Sequence, residues 1–462
     1  MTTVNSTAAR DQAHVLHPMT NLKKHQEDGP TVIVRGEGIR IFDESGRDYI
    51  EGMAGLWCTS LGFANKRLAD AAYRQMLELP YYHTFRNMTH PASADLAEKL
   101  MSIVPKGLTK VFFANSGSEA NDSIVKMVWY YNNALGRPTK KKFISRHRAY
   151  HGSTLVAASL CGLPHMHKAF DLPIAGILHT DCPHHYRHAL PGESEEAFAT
   201  RLADSLEALI LAEGPDTVAA FIAEPVMGGG GVIVPPRTYF EKVQKVLKKY
   251  DVLMVADEVI CGFMRTGNMF GCDTYAIKPD IMTVAKALSS AYMPIAGVLV
   301  TDPIFQAITR QSGELGTFAH GFTYSAHPVP CAVALETLKI YEETDLLGHV
   351  RRVAKRFQAQ ARGFADHPLV GEVRGVGLLA AIELVRDKAT KAPFDIKQGV
   401  GVHCQDAAEA HGLLTRSIND ALAFSPPLII TEAEIDDMFA RFAKALDETL
   451  VWAKSEGLAK VA

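Results

Sequence analysis

The chain lacks most of the features that mark specialised protein classes. Its 462 residues carry 48 Lys and Arg against 51 Asp and Glu, a formal charge of −3, so no field of one sign draws it to nucleic acid or to an anionic membrane. No run of residues is apolar for long enough to span a bilayer. The seven cysteines (Cys58, Cys161, Cys182, Cys261, Cys272, Cys331 and Cys404) are odd in number, scattered and never spaced as CxxC. That argues for reduced thiols in a cytoplasm rather than a disulfide framework. Residues 1–26 have no apolar signal core, and Arg10, Lys23 and Lys24 are interrupted by acids and histidines, a poor transit peptide. A cytoplasmic location is therefore expected. Neither GxGxxG nor a GKS/T phosphate loop occurs, which speaks against a nicotinamide enzyme or an ATPase. The His-rich stretch Cys182–His188 has no second ligand cluster at metal spacing, so it reads as a polar loop and no metal centre is expected. Repeats, low-complexity tracts and long linkers are also missing.

What the chain does have is apolar mass, 47% of its residues, enough for a large core in two or three domains. The first fifty residues read as a small extension, with a hairpin of 31–35 and 39–43 around Gly36-Glu37-Gly38. From about residue 65, helices and strands alternate. Helices are predicted at 91–103, 118–134, 195–213 and 237–250, and strands at 110–114, 142–145, 219–223, 252–256, 281–284 and 296–300. That alternation implies an α/β fold with a mostly parallel sheet covered on both faces. After Pro330 the texture becomes a smaller α+β unit: helices over 331–343 and on to about 365, a strand through Ile382, and a final helix over 432–452. Expected boundaries are 1–64 for an N-terminal segment of the small domain, 65–330 for the large domain, and 331–462 for the rest of the small domain.

In such sheets ligands sit at the carboxyl ends of the strands. Asp257 closes the apolar run Val252–Ala256, and Lys286 follows the next run, Pro279–Ala285. A lysine can form a Schiff base with the aldehyde of pyridoxal phosphate, and a carboxylate can keep the pyridine nitrogen protonated, making the ring an electron sink. Between a strand and a helix, Asn115-Ser116-Gly117-Ser118 offers free amides, hydroxyls and a helix dipole to a phosphate. A plain N-cap by Ser118 explains the same residues. Gly228–Gly231 precedes no helix and reads as a flexible turn.

Several ordered stretches resemble the class III, or omega-amino acid, aminotransferases of pyridoxal phosphate fold type I. They are Asp48–Trp57, Asn115–Asn121, Ala149–Thr154, Ala223–Val226, Asp257–Phe263 and His320–Tyr324. The resemblance is greatest to amine:pyruvate transaminases acting on terminal amines. It implies a large domain with a mostly parallel seven-stranded sheet and a smaller α+β domain made from both chain ends. It also implies pyridoxal 5'-phosphate held covalently by Lys286, which moves the reacting proton. Asp257 would pair with the ring nitrogen, Tyr150 and Val259 would lie on opposite ring faces, and Ser116, Gly117 and Ser118 would bind phosphate. Glu224 would take an indirect, supporting role near the ring. Thr323 would reach the phosphate from a partner subunit, giving a homodimer with shared sites, possibly a tetramer. Trp57, Tyr82, Phe85 and Tyr150 would wall the substrate pocket, and Arg416 would grip a substrate carboxylate.

The implied reaction transfers an amino group from a terminal amine or omega-amino acid (putrescine, 6-aminohexanoate, β-alanine or similar) to pyruvate by a ping-pong mechanism. Taurine is an alternative donor. A same-fold aminomutase, racemase or decarboxylase, or a noncatalytic binding protein, are the other readings. Three departures bear on the pocket or its surroundings: His17-Pro18-Met19-Thr20 where near relatives often carry an aromatic, Arg86 where some have a second Phe, and Met264 within Cys261–Gly267.

Overall fold

A computed structural model describes residues 6–459. At its centre is a seven-stranded sheet of β1 (Leu108–Ala114), β2 (Lys142–Arg146), β3 (Ile177–Thr180), β4 (Val218–Ala223), β5 (Leu253–Asp257), β6 (Ile281–Val284) and β7 (Ala296–Thr301). Their spatial order is β1-β7-β6-β5-β4-β2-β3. β7 runs antiparallel to both neighbours, and the other pairings are parallel. β3 is the one strand of this sheet that periodicity misses, since Ile177-Leu178-His179-Thr180 is too short and too mixed to register.

The strands read as near-continuous apolar runs because both faces are covered. All six residues of β4 are buried. Alternate side chains divide between two cores. Ile222, Val255 and Val298 meet Ile124, Val125 and Val128 of the helix Gly117–Ala134. Phe221, Met254 and Leu299 belong to the larger core, shared with Phe198 and Leu202 of helix Glu195–Glu213 and Phe240 of helix Tyr239–Lys249. Both of those helices start with acids in their first turn, matching the positive end of the helix dipole.

Two smaller sheets flank this body. One contains Ile33–Glu37, Arg40–Asp43, Asp48–Glu51 and Leu413–Leu414, with Leu413 paired in parallel to Ile50, so the two chain ends share a sheet. The hairpin is tighter than its glycines suggest: Gly36 and Glu37 lie in the strand, paired with Ile41 and Arg40. The second sheet is antiparallel and holds Val370–Val376, Leu379–Leu384, Ala421–Phe424 and Arg416–Ile418. The last helix, Glu432–Ser455, begins with a capping box in which Thr431 and Glu434 satisfy each other's backbone amides. Among the described residues, no helix is long and apolar enough to cross a membrane.

Candidate active site

The carboxyl ends of β1, β2, β4, β5 and β6 converge on a cavity of about 310 Å³. Its lining includes Ser116, Gly117, Ser118, Tyr150, Glu224, Asp257, Val259 and Lys286. Because β7 runs backwards, its leading residues Met293-Pro294-Ile295 arrive at the same edge and close one wall.

Asp257 ends β5 and is 3% exposed. Its Oδ2 accepts from Asn121 Nδ2 at 3.0 Å and lies 2.7 Å from His151 Nδ1, while its Oδ1 accepts from the Val259 amide at 3.1 Å. Asn121, fully buried on the helix that begins at Gly117, also donates to the His151 carbonyl at 2.7 Å and accepts from Thr283 Oγ1 at 2.7 Å. Thr283 is in register with Asp257 across β5 and β6. One asparagine thus ties the helix, both strands and the 149–154 loop to a single carboxylate. Such a carboxylate is fixed in place and needs a cationic partner on its cavity side.

Lys286 follows β6 with φ at +49°. That left-handed backbone costs a non-glycine residue roughly 1–2 kcal/mol, and here it coincides with the reactive position. No hydrogen bond holds the amine among the described residues. Burial lowers its pKa, and Asp257 partly opposes that shift, so its neutral, nucleophilic form is favoured relative to a surface lysine.

The phosphate reading and the capping reading divide between two serines. Ser116, not Ser118, is the N-cap, accepting from the Glu119 amide at 3.2 Å. Ser118 Oγ accepts from the Ser153 amide at 3.0 Å and faces the cavity beside Gly117. Space there is tight. A Cβ on Gly152 would stand 2.5 Å from Ser118 Oγ and 2.8 Å from Ser118 Cα, and one on Gly117 would stand 3.2 Å from Val259 Cγ2.

Glu224 brackets the aromatic wall. Its Oε1 accepts from the Tyr150 amide and its Oε2 from the Gly228 amide, both at 3.1 Å. Burial pushes its pKa up. Gly228–Gly231 is a turn, as its composition predicts, but a packed one: Gly228, Gly230 and Gly231 are buried and Gly229 is half-buried. A Cβ on Gly229 would press 2.8 Å from Tyr150 Cβ, so bare backbone supports that residue from behind.

Five expected site residues lie outside the cavity lining. Trp57 is buried in an apolar cluster with Ile260, itself a lining residue. Arg416 opens the strand paired to Ala421–Phe424, whose Ala421 and Ala423 belong to that same cluster. Its guanidinium has no hydrogen bond or ion pair among the described residues. Tyr82, Phe85 and Thr323 are exposed, with the Thr323 carbonyl held by Tyr81 Oη at 2.7 Å. Sequence reasoning gave no role to Asn121, His151, Cys58 or Ile295. The first two stand inside stretches that carry the family resemblance, and a buried polar residue beside a strand-end acid was the available signal. Met264 is buried, with φ at +73°, and does not line the cavity.

The donor set fits pyridoxal phosphate. A helix start offers amides and a hydroxyl for the phosphate, three donors brace a buried carboxylate for the ring nitrogen, and an amine without a partner suits the aldehyde. His151 Nε2 is buried with no hydrogen-bond partner, which marks this wall as built around something besides protein.

Comparison with known proteins agrees. The aminotransferase class-III family model matches residues 22–446. Gamma aminobutyrate transaminase 1, mitochondrial, of Solanum lycopersicum is 54% identical over 436 residues, covering 94% of this chain and 85% of its own. The chloroplastic gamma aminobutyrate transaminase 3 of the same plant is 56% identical over 421 residues, covering 91% and 81%. The crystal structure of the Pseudomonas jessenii omega transaminase in complex with PMP superposes with a TM-score of 0.96 at 56% identity, covering 97% of this chain and 99% of that one. The chain belongs to the class III aminotransferases, of pyridoxal phosphate fold type I, and is a pyridoxal 5'-phosphate-dependent aminotransferase.

Proposed function

We propose that this transaminase takes its amino group from a terminal amine or omega-amino acid, 4-aminobutyrate first among them, and delivers it to pyruvate. When bound, the cofactor supplies the aldehyde that accepts the amino group and a cationic ring that withdraws electrons from the amine-bearing carbon. Lys286 Nζ takes the proton from that carbon and returns it one atom away, a task for an amine whose basicity burial has lowered. Asp257 would hold the ring nitrogen charged, and Asn121 and His151 keep that carboxylate aimed. Tyr150 and Val259 line one cavity, where they would hold the cofactor ring between them. Arg416, whose guanidinium has no hydrogen bond or ion pair among the described residues, is assigned to the substrate carboxylate.

The observation carrying the acceptor is the scarcity of cations. Among the described residues, Lys286 is the only Lys or Arg in the cavity lining, and Arg416 is the arginine assigned to the substrate. One arginine matches the single carboxylate of pyruvate, whereas 2-oxoglutarate needs a second cation for its distal carboxylate. The curated relatives named for gamma-aminobutyrate support a donor with its amine at the end of an aliphatic chain.

We also propose a homodimer, because Thr323 lies exposed and away from its own cavity, where a partner can use it. A reducing, cytoplasmic location is proposed on the seven free thiols.

The test supplies purified holoenzyme with 4-aminobutyrate, putrescine, 6-aminohexanoate or β-alanine, and with pyruvate or 2-oxoglutarate in parallel. Alanine should form faster than glutamate. Glutamate forming faster refutes the acceptor, and no alanine from any of these donors refutes the donor class. Lys286→Ala should abolish turnover.

A further inference from the structure

Two clusters of potential metal ligands lie outside the active site, and their surroundings separate them. His184, just before the short helix His185–His188, meets Glu372 and Glu383 of the small antiparallel sheet. There Arg374 pairs with both carboxylates and Arg187 Nε lies 2.5 Å from Glu383. A cation would have to displace two guanidiniums, so that cluster is a closed ion-pair network.

Among the described residues, the second cluster shows no guanidinium paired to its carboxylate. Asp11 lies on the helix Thr7–His14, His25 on the helix Leu22–Asp28, and His17 on the connection between them. Both imidazoles aim Nε2 at one carboxylate oxygen: His17 Nε2 is 2.7 Å and His25 Nε2 3.2 Å from Asp11 Oδ2. The two rings lie 4.0 Å apart, tilted by 35°. His17 satisfies Asp11 with a well-aligned hydrogen bond. His25 does not. Its side chain is 7% exposed, and its Nε2 is buried without an aligned partner. An orphaned imidazole nitrogen aimed at a carboxylate already engaged by another imidazole is costly as a hydrogen-bond arrangement. It is well suited as a ligand.

The frame is set before any ion arrives. Gln12 Nε2 donates to the carbonyls of His25 and Gln26, each at 3.2 Å, and Gln26 Nε2 donates back to the Gln12 carbonyl at 3.0 Å. This reciprocal clamp fixes one helix against the other. The nearby lysines pair elsewhere, Lys23 with Glu27 and Lys24 with Asp28.

We propose that Asp11, His17 and His25 form a binding site for one divalent zinc-like ion per chain. The three ligand atoms lie within 4.8 Å of one another. A tetrahedral ion bound at about 2.0–2.2 Å places its ligands roughly 3.3–3.5 Å apart. The His25 separation is already close to that, and the His17 hydrogen bond opens slightly on binding. Two imidazoles and one carboxylate suit zinc, and water takes the fourth position. The ion locks the two N-terminal helices together and takes no part in amino transfer.

The test is calorimetric titration of chelator-treated, cofactor-loaded enzyme with zinc chloride at pH 7.5, on wild type, His17→Ala, His25→Ala, Asp11→Asn and the control His14→Ala. Wild type and His14→Ala should each take up one tight equivalent per chain, and each cluster variant should bind at least tenfold more weakly. Circular dichroism confirms that the variants remain folded. No tight equivalent in wild type overturns the site, and so does unchanged affinity and stoichiometry in the His17→Ala/His25→Ala double variant, which would place the ion elsewhere.

Discussion

Replacing Asp257 by Asn tests the centre of the active-site geometry, because three donors already surround that carboxylate. The Val259 amide requires an oxygen at Oδ1, so the new NH2 group must occupy the Oδ2 position. There it faces Asn121 Nδ2, which cannot accept, and His151 Nδ1, which can adapt only by changing tautomer. Asn121 cannot flip to help, since its own oxygen accepts from Thr283. One buried donor is therefore left unpaired, at about 1–3 kcal/mol of stability. Activity suffers through a second route, loss of the negative charge opposite the cofactor ring nitrogen. A charge-assisted hydrogen bond contributes roughly 1.5–3 kcal/mol, and every 1.36 kcal/mol of barrier is about tenfold in rate. The variant should fall at least tenfold to a hundredfold in kcat/KM. Thermal unfolding of the cofactor-free protein reads the first effect, and single-turnover conversion of bound cofactor to its amine form reads the second. A variant within threefold of wild type in the single-turnover rate would refute the assigned role of Asp257. Unchanged unfolding would refute the donor accounting.

Three further outcomes follow from other parts of the molecule. Gly152→Ala puts a methyl 2.5 Å from Ser118 Oγ at a φ of +137°, and overpacking of that kind costs about 1–3 kcal/mol; reconstitution titrations should show cofactor affinity reduced about tenfold or more. Arg416→Leu should raise KM for pyruvate roughly tenfold to a hundredfold by removing a charged hydrogen-bond donor, while KM for an uncharged donor such as 1-phenylethylamine stays within about threefold; equal effects on both would refute its role. Burial pushes Glu383 up, but Arg374, His184 and Arg187 outweigh it and bring its pKa down to about 2. A depressed carboxylate stabilises the fold above its unfolded value near 4.5, and that contribution, roughly 3 kcal/mol, fades as pH falls towards 2. The gap in melting temperature between wild type and Glu383→Gln should shrink over that window, and a constant gap would refute the linkage.

Legibility in the sequence followed physical scale. Helix 91–103 was readable to the residue because His90 caps it, Pro91 starts it and Leu96 and Leu100 mark its buried face. The strands β4 to β7 were readable because burial on both faces leaves continuous apolar runs. β3 was hidden by its four residues, one of them a histidine whose ring bonds to the Cys161 carbonyl instead of adding to an apolar run. Lys286 and Asp257 stood out because strand ends are where chemistry collects. The support behind them did not. Asn121 and His151 reach Asp257 from 136 and 106 positions away, and no local pattern encodes such contacts. The packing of the Gly228–Gly231 turn was hidden for the same reason, since what fills the space beside those glycines is Ile260, Tyr150 and Arg148, supplied from other parts of the chain.

The edge position of β1 governs when this enzyme can first hold its cofactor. β1 delivers the Asn115–Ser118 turn, yet within the sheet it touches β7 alone, whose pairing residues come about 180 positions later in the chain. A nascent chain has already made the turn long before it has made the strand that fixes it. Stable capture of a phosphate must wait until synthesis has passed residue 301, so a truncated product ending before that point should emerge from the ribosome unable to retain the vitamin.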